Sequence, residues 1–324
     1  MNQISSSAVT EASKLEFHIA ASPTPSFYHQ IALFSMGLQR LGLPYSSAKV
    51  IVSLGGGIVD DTPAFWEASF PNLHFLWCPT PLVERFSHLA PGVQRLYNLG
   101  QDADMAFLCD ADTLLVRPID DLFYLASKDD ELAGMIAHHP IPFKRGLPNQ
   151  EVWSELASLL NTSKPELKYF HSMPTPQFSD EQRKCPFYVN MGFLAGSPRS
   201  LQKLLPFLVP YIEQLTGLLE KPYFAGQAAL PFSMQAAGLT GKALPMRYNF
   251  PNDPVADQLW PEELTNVVLF HYLRLKSFSR STFLADEMEF LKFLGAPLVG
   301  SNYSFQSWVR EITGGQYPFI ASGA

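Results

Sequence analysis

Met105 to Pro118 reads MAFLCDADTLLVRP, and the order of residue types in this stretch decides the fold. An apolar run, Met105 to Cys109, delivers the chain into Asp110-Ala111-Asp112, and a second apolar run, Thr113 to Val116, follows at once. Runs this short and this apolar fit strands buried on both faces, the kind found in parallel sheets covered by helices. Side chains alternate along an extended chain, so Asp110 and Asp112 share one side and Ala111 faces the other. Two carboxylates at the exit of a buried strand repel each other unless a cation lies near them. Hard oxygen donors suit Mn²⁺ or Mg²⁺, ions typically held by one or two carboxylates together with substrate phosphates. The bare triplet is within chance, since Asp102-Ala103-Asp104 repeats it as the solvated turn before the strand. Its placement between two buried strands gives the second triplet its meaning.

Outward from that point the chain alternates strand and helix. Glu16 to Ala21 (EFHIAA) reads as the first strand, followed by a Ser-Pro-Thr-Pro turn and a helix from Phe27 to Leu41. Lys49 to Leu54, ending in Gly55-Gly56-Gly57, and Leu73 to Cys78 are further strands, and Glu84 to Leu99 is a helix. After the Asp pair, Asp120-Asp121 reads as a charge pair at a helix start. Leu132 to Ala137 is a strand, Glu151 to Leu160 a helix and Phe187 to Ala195 (FYVNMGFLA) a strand. Helices from Arg199 to Leu218 and Gln227 to Ala237 and a late strand, Asn266 to Tyr272, lead to a helix from Thr282 to Leu294 and an aromatic-rich tail. The pattern predicts an α/β protein whose mostly parallel, Rossmann-like sheet is flanked by helices, with ligands at the carboxyl ends of the strands.

Composition narrows the function. With 324 residues, 47% hydrophobic and 16% charged, the chain can build a large core and is not disordered. A net charge of -7 and the lack of a basic stripe argue against nucleic acid. No stretch approaches the roughly 18 apolar residues of a membrane span. The polar start, MNQISSSAVTEASK, lacks the apolar core of a signal peptide, and three scattered cysteines form neither a disulfide framework nor a zinc site. A cytoplasmic location is the default.

Six ordered segments carry a family resemblance: GVQRLYNL from Gly92, CDADTLLVRPIDDL from Cys109, FYVNMGFLAGSP from Phe187, AGQAAL from Ala225, LPMRYNF from Leu244 and LFHYLRLKSF from Leu269. In order and spacing they resemble the A-type nucleotide-sugar glycosyltransferases, and within them retaining family 8, which includes glycogenin and bacterial galactosyltransferases. The resemblance covers roughly residues 15 to 280. It implies one glycosyltransferase domain over 1–324, with a nucleotide-binding half at about 15–125 and a donor and acceptor half with C-terminal helices at about 126–324. The implied reaction moves a sugar from a nucleotide diphosphate donor, UDP-linked, to an acceptor hydroxyl of a glycan or small molecule, with retention.

Carried over residue by residue, the resemblance implies that Asp110 and Asp112 bind metal and nucleotide and that His271 completes the metal shell. Neutral imidazole is a competent Mn²⁺ ligand. Arg95 would contact diphosphate or sugar, because guanidinium matches phosphate oxygens, or else stands as a helix-surface charge. Lys276 resembles the family's phosphate lysine but sits one residue early, which leaves the diphosphate open between Lys276 and Arg274. Gln227 matches the helix-start glutamine near the reacting face of the donor, while Gly226 stands where the family has Asp. Asn190 is a polar residue in an apolar strand that needs a partner, such as a sugar hydroxyl or a loop, and Gly192 permits close backbone approach. Tyr28 reads either as a stacking partner for the base or as a core tyrosine. Ala20, Ala21 and Ser22 would run along the nucleotide through their backbone. His138 and His139 end a strand at the cleft and read as a partly exposed loop pair, or else as contacts to acceptor or sugar. The loops Pro140 to Pro148 and Pro165 to Pro186 are the expected acceptor readers.

Two other readings compete. A nucleotidyltransferase of related fold would carry a Gly-rich basic loop after the first strand, where this chain has SPTPSFY. An inactive nucleotide-sugar-binding relative is suggested by Gly226 and the shifted lysine, and opposed by the retained Asp pair and histidine.

Overall fold

The computed structural model describes residues 13–56, 62–100, 102–143, 148–173, 179 and 183–319. The N-terminal 12 residues, Gly57 and parts of both expected acceptor loops lie outside them. Seven strands form the central sheet in the spatial order β10, β6, β9, β4, β1, β2, β3. These are β1 (Leu15–Ala21), β2 (Lys49–Leu54), β3 (Leu73–Trp77), β4 (Met105–Asp110), β6 (Glu131–Ile136), β9 (Val189–Gly196) and β10 (Thr240–Ala243). Only β9 runs against the rest, pairing antiparallel with both β4 and β6. The mostly parallel sheet expected from the sequence is what the chain builds.

Alternation along β4 shows why its sequence is apolar throughout. Met105, Phe107 and Cys109 enter one core layer, while Ala106 and Leu108 enter the other. Phe107 stacks on Phe17 of β1 at 4.8 Å and on Phe193 of β9 at 5.7 Å, so three neighbouring strands are locked in register on one face. The first layer is covered by α1 (Pro25–Leu41) and the C-terminal helices. The second is covered by α4 (Ala90–Tyr97), α5 (Asn149–Leu159), α6 (Pro198–Thr216) and α7 (Ala225–Ala236).

A small second sheet forms the site. The short β5 (Thr113–Leu115) pairs antiparallel with β12 (Leu269–His271), which also pairs with β11 (Phe250–Pro251). Register sets His271 opposite Thr113, and the Tyr272 N–H donates to the Asp112 carbonyl at 3.0 Å.

Several local expectations are corrected. The helix expected over 84–99 is broken: α3 (Thr80–Phe86) ends before Ser87, whose φ of 50° is left-handed, and α4 restarts with Pro91 in its first turn. The late helix α10 (Glu287–Gly295) begins after Thr282 because Asp286 caps it, accepting from the Glu289 N–H at 2.9 Å. The aromatic-rich tail is itself a helix, α11 (Gly300–Thr313), and its Phe305 packs on Tyr272 at 4.5 Å and Phe270 at 5.9 Å, behind the strand that carries His271. Asp120 and Asp121 do begin a short 3₁₀ helix, but each accepts from a phenol: Tyr45 on Asp120 at 2.5 Å, and Tyr248 on Asp121.

Candidate functional site

Asp110 closes β4, and Ala111 and Asp112 form a turn into β5. The two carboxylates thus reach a common side through a turn rather than through the alternation of an extended strand. The Thr113 hydroxyl donates to the Asp110 carbonyl at 2.7 Å and pins that turn. His271 approaches from β12, its Nε2 3.3 Å from Asp112 Oδ1 and 3.7 Å from Asp110 Oδ2. One donor atom from each of the three residues falls within 4.8 Å of the others, the arrangement a metal ion needs, and this is the group found among the described residues.

The tautomer of His271 follows from its neighbours. Its Nδ1 lies 3.0 Å from Asn249 Oδ1, and the Asn249 amide donates to the Asn190 carbonyl at 3.3 Å, which turns the amide oxygen toward the ring. Nδ1 therefore carries the proton, and the Nε2 lone pair faces the carboxylates. Burial pushes the His271 pKa below its ordinary value, against the pull of Asp110, so the ring is neutral near pH 7. An acceptor nitrogen facing two acceptor carboxylates has no hydrogen bond to make there, and a divalent cation resolves the conflict. The two carboxylates supply the hard oxygen donors that Mn²⁺ or Mg²⁺ takes, and the neutral imidazole adds a nitrogen donor that favours Mn²⁺ of the two.

These residues line a cavity of about 480 Å³ that also holds Ala20, Asn190 and Gln227. The structure thus brings together Ala20, Asp110, Asp112, Asn190, Gln227 and His271. Asn190 Oδ1 accepts from the Gly192 N–H at 2.9 Å, which supplies the partner its place in an apolar strand required. Gly192 has no room for a side chain, because a β-carbon there would lie 2.6 Å from the His271 ring.

Other expected residues stand elsewhere. Ser22 and Lys276 are exposed and are not among the cavity-lining residues. Tyr28 is buried between Trp66 and Phe75, at 6.2 and 5.6 Å, so it serves the core; its neighbour Phe27 lines the cavity instead. Arg95 is not a surface charge. It is buried, donates to the Cys109 carbonyl at 3.0 Å and lies 3.7 Å from Asp110. His138 is buried rather than loop-exposed, with Nδ1 2.9 Å from the Ser172 hydroxyl, while His139 is exposed; both line the cavity.

Sequence reasoning missed Arg280 and Asn249. Arg280 ion-pairs with Asp112 inside the cavity, from an irregular segment after β12 where no periodicity marks it. Arg274, one of the two candidates for the diphosphate, lines the cavity and is held by Asp253 at 2.9 Å and by two hydrogen bonds between its backbone and the Asn252 amide. Asn249 was visible only as the last polar residue of LPMRYNF.

No protein-family model and no curated protein matches the sequence. Solved structures do resemble the chain. The galactosyltransferase LgtC, solved with donor and acceptor sugar analogues, superposes over 95% of this chain and 98% of its own, with a TM-score of 0.55 and 14% identity. The bifunctional glycosyltransferase WbbM superposes over 95% of this chain and 52% of its own, with a TM-score of 0.53 and 13% identity. No described helix is long and apolar enough to cross a membrane. The resemblance first read from six sequence segments is borne out in three dimensions: the chain has the A-type glycosyltransferase fold, with an Asp-Asp-His cluster at the carboxyl end of its central strand.

Proposed function

We propose that the protein is a divalent-metal-dependent glycosyltransferase that moves a sugar from a nucleotide diphosphate donor, UDP-linked, to an acceptor hydroxyl, with retention. The observation that carries this reading is the convergence of Asp110, Asp112 and His271 in a cavity that also holds two arginines. A bound Mn²⁺ or Mg²⁺ would neutralise charge on the diphosphate. Asp110 and Asp112 supply oxygen donors, and Asn249 keeps the His271 lone pair directed at the same point. Arg274 and Arg280 offer guanidinium forks to the phosphate oxygens, the planar geometry that suits them best. Charge grows on the diphosphate as the glycosidic bond breaks, so cations already in place stabilise the transition state without reorganising.

Ala20 and Phe27 line the cavity at the end of β1 and the start of α1, where the nucleoside would lie, and Phe27 rather than Tyr28 is placed to stack on the base. Gln227 and Asn190 line the same cavity and would border the donor where the sugar joins the diphosphate. No residue is assigned as a nucleophile. LgtC was solved with donor and acceptor sugar analogues, which supports a sugar-bearing donor and acceptor here. The test is incubation with Mn²⁺, a panel of nucleotide sugars and simple glycoside acceptors, with a chelator control. UDP release and manganese-dependent nucleotide binding are expected, and absence of both would sink the reading.

A further inference from the structure

Behind the metal cluster lies a second, smaller cavity of about 200 Å³. Asp110, Tyr223 and Gln227 line both, so the two are adjoining chambers that meet at the Asp pair. A diphosphate held in the outer chamber would direct whatever is attached to its far phosphate past Asp110 and Gln227 into the inner one.

The inner chamber is a built site. Arg95 is 5% exposed, and its Nε has no hydrogen-bond partner although Nη1 is tied to the Cys109 carbonyl. Arg95 lines the chamber with its charge facing Asp110 at 3.7 Å, and a guanidinium placed there suits an acceptor from a ligand. With Asp110 and Gln227 it offers polar partners for sugar hydroxyls. The rest of the lining is different in kind: the side chains of Val93 and Leu96 of α4, Leu208 and Ile212 of α6, and Met191 of β9 are apolar. Gly226 adds room there, since a β-carbon on it would meet only Ile212, at 3.9 Å.

A hydroxyl pressed against that wall would lose its water and gain nothing, whereas a methyl group would gain apolar contact. We infer that the inner chamber selects a donor sugar bearing an acetamido group, its ring hydroxyls on Arg95, Asp110 and Gln227 and its methyl against Leu208 and Ile212. The substrate class is therefore a nucleotide-linked N-acetylhexosamine rather than an unsubstituted hexose. The inference rests on the transferase reading of the outer chamber.

The experiment measures binding of UDP, UDP-N-acetylglucosamine, UDP-N-acetylgalactosamine, UDP-glucose and UDP-galactose by calorimetry in saturating Mn²⁺. At least one acetamido donor is expected to bind about tenfold or more tightly than its parent hexose donor, in line with one small apolar group in a fitted pocket. Gly226→Leu, which fills the chamber where the β-carbon has space, is expected to remove that advantage, with thermal melting to confirm the fold. UDP that binds while acetamido donors bind no better than hexose donors overturns this inference alone. UDP that fails to bind at all overturns the transferase reading and the inference together.

Discussion

Arg280 and Asp112 form an ion pair on the same carboxylate that faces His271 at 3.3 Å. Burial lowers the Arg280 pKa, and Asp110 acts in the opposite direction. A metal ion entering the cluster must therefore compete with Arg280 for Asp112, and the displaced guanidinium stays in the cavity as a phosphate ligand. Arg280→Ala separates the two roles. Calorimetric Mn²⁺ affinity without nucleotide should rise a few-fold, whereas UDP affinity in saturating Mn²⁺ should fall about tenfold, or about 1.4 kcal/mol. Equal losses in both measurements would mean that Arg280 only supports local structure.

Gly192 and His271 constrain each other sterically. The ring is 5% exposed and cannot retreat from a β-carbon that would sit 2.6 Å from its Cε1 and Nδ1. Gly192→Ala should displace the imidazole from Asn249 and from the carboxylates, lowering Mn²⁺ affinity more than tenfold and destabilising the fold by about 1–3 kcal/mol through overpacking. His271→Ala removes the ligand without the clash. In the double variant Gly192→Ala/His271→Ala the melting temperature should recover relative to Gly192→Ala alone, and strict additivity of the two changes would refute the steric account.

Asn249 acts on the metal through His271. Groups that orient a metal-bound histidine typically change affinity 10–100-fold when removed. Asn249→Ala should lower Mn²⁺ affinity by about that range, and Asn249→Asp should retain most of it, because a carboxylate also accepts from Nδ1–H. The check is manganese titration of both variants alongside circular dichroism. Wild-type affinity in Asn249→Ala would contradict the tautomer assigned here.

The parts of the site legible in the sequence were those fixed by local pattern. Met105 to Asp112 announced itself because β4 is buried on both faces and then ends abruptly in carboxylates. His271 became legible only through the family resemblance of LFHYLRLKSF, because a lone histidine at the end of an apolar run does not mark a ligand by itself. Arg280 was not, since it lies in an irregular segment and reaches Asp112 across a sequence separation of 168 residues. Tyr28 stayed open between base stacking and the core because it and Phe27 are consecutive on one helix, and only packing against Trp66 and Phe75 decides which ring turns inward. The C-terminal helix was missed because its buried residues, Ser301, Asn302, Phe305, Gln306 and Val309, include three polar ones. Their burial is tolerated through partners such as the Asn302–Asn252 and Gln306–Phe293 hydrogen bonds, which no single-sequence pattern displays.

Two buried histidines near the cavity tie stability to pH. Burial pushes the His138 pKa down to about 3 and His171 to about 4, from about 6.5 in an unfolded chain. Between those values the unfolded chain binds protons that the folded one refuses. Stability is therefore fully present above about pH 6.5 and falls as the pH drops, levelling off near pH 4 for His171 and near pH 3 for His138. At pH 5 each should have lost about 2 kcal/mol relative to pH 7. Urea unfolding midpoints at pH 7 and 5 measure the sum, and His138→Gln and His171→Gln should each remove roughly half of the difference. If the double variant kept the wild-type slope between pH 5 and 7, the acid sensitivity would have to come from other groups, among which Glu16, held below its ordinary value by His18 against the opposing effect of burial, shifts stability in the same direction.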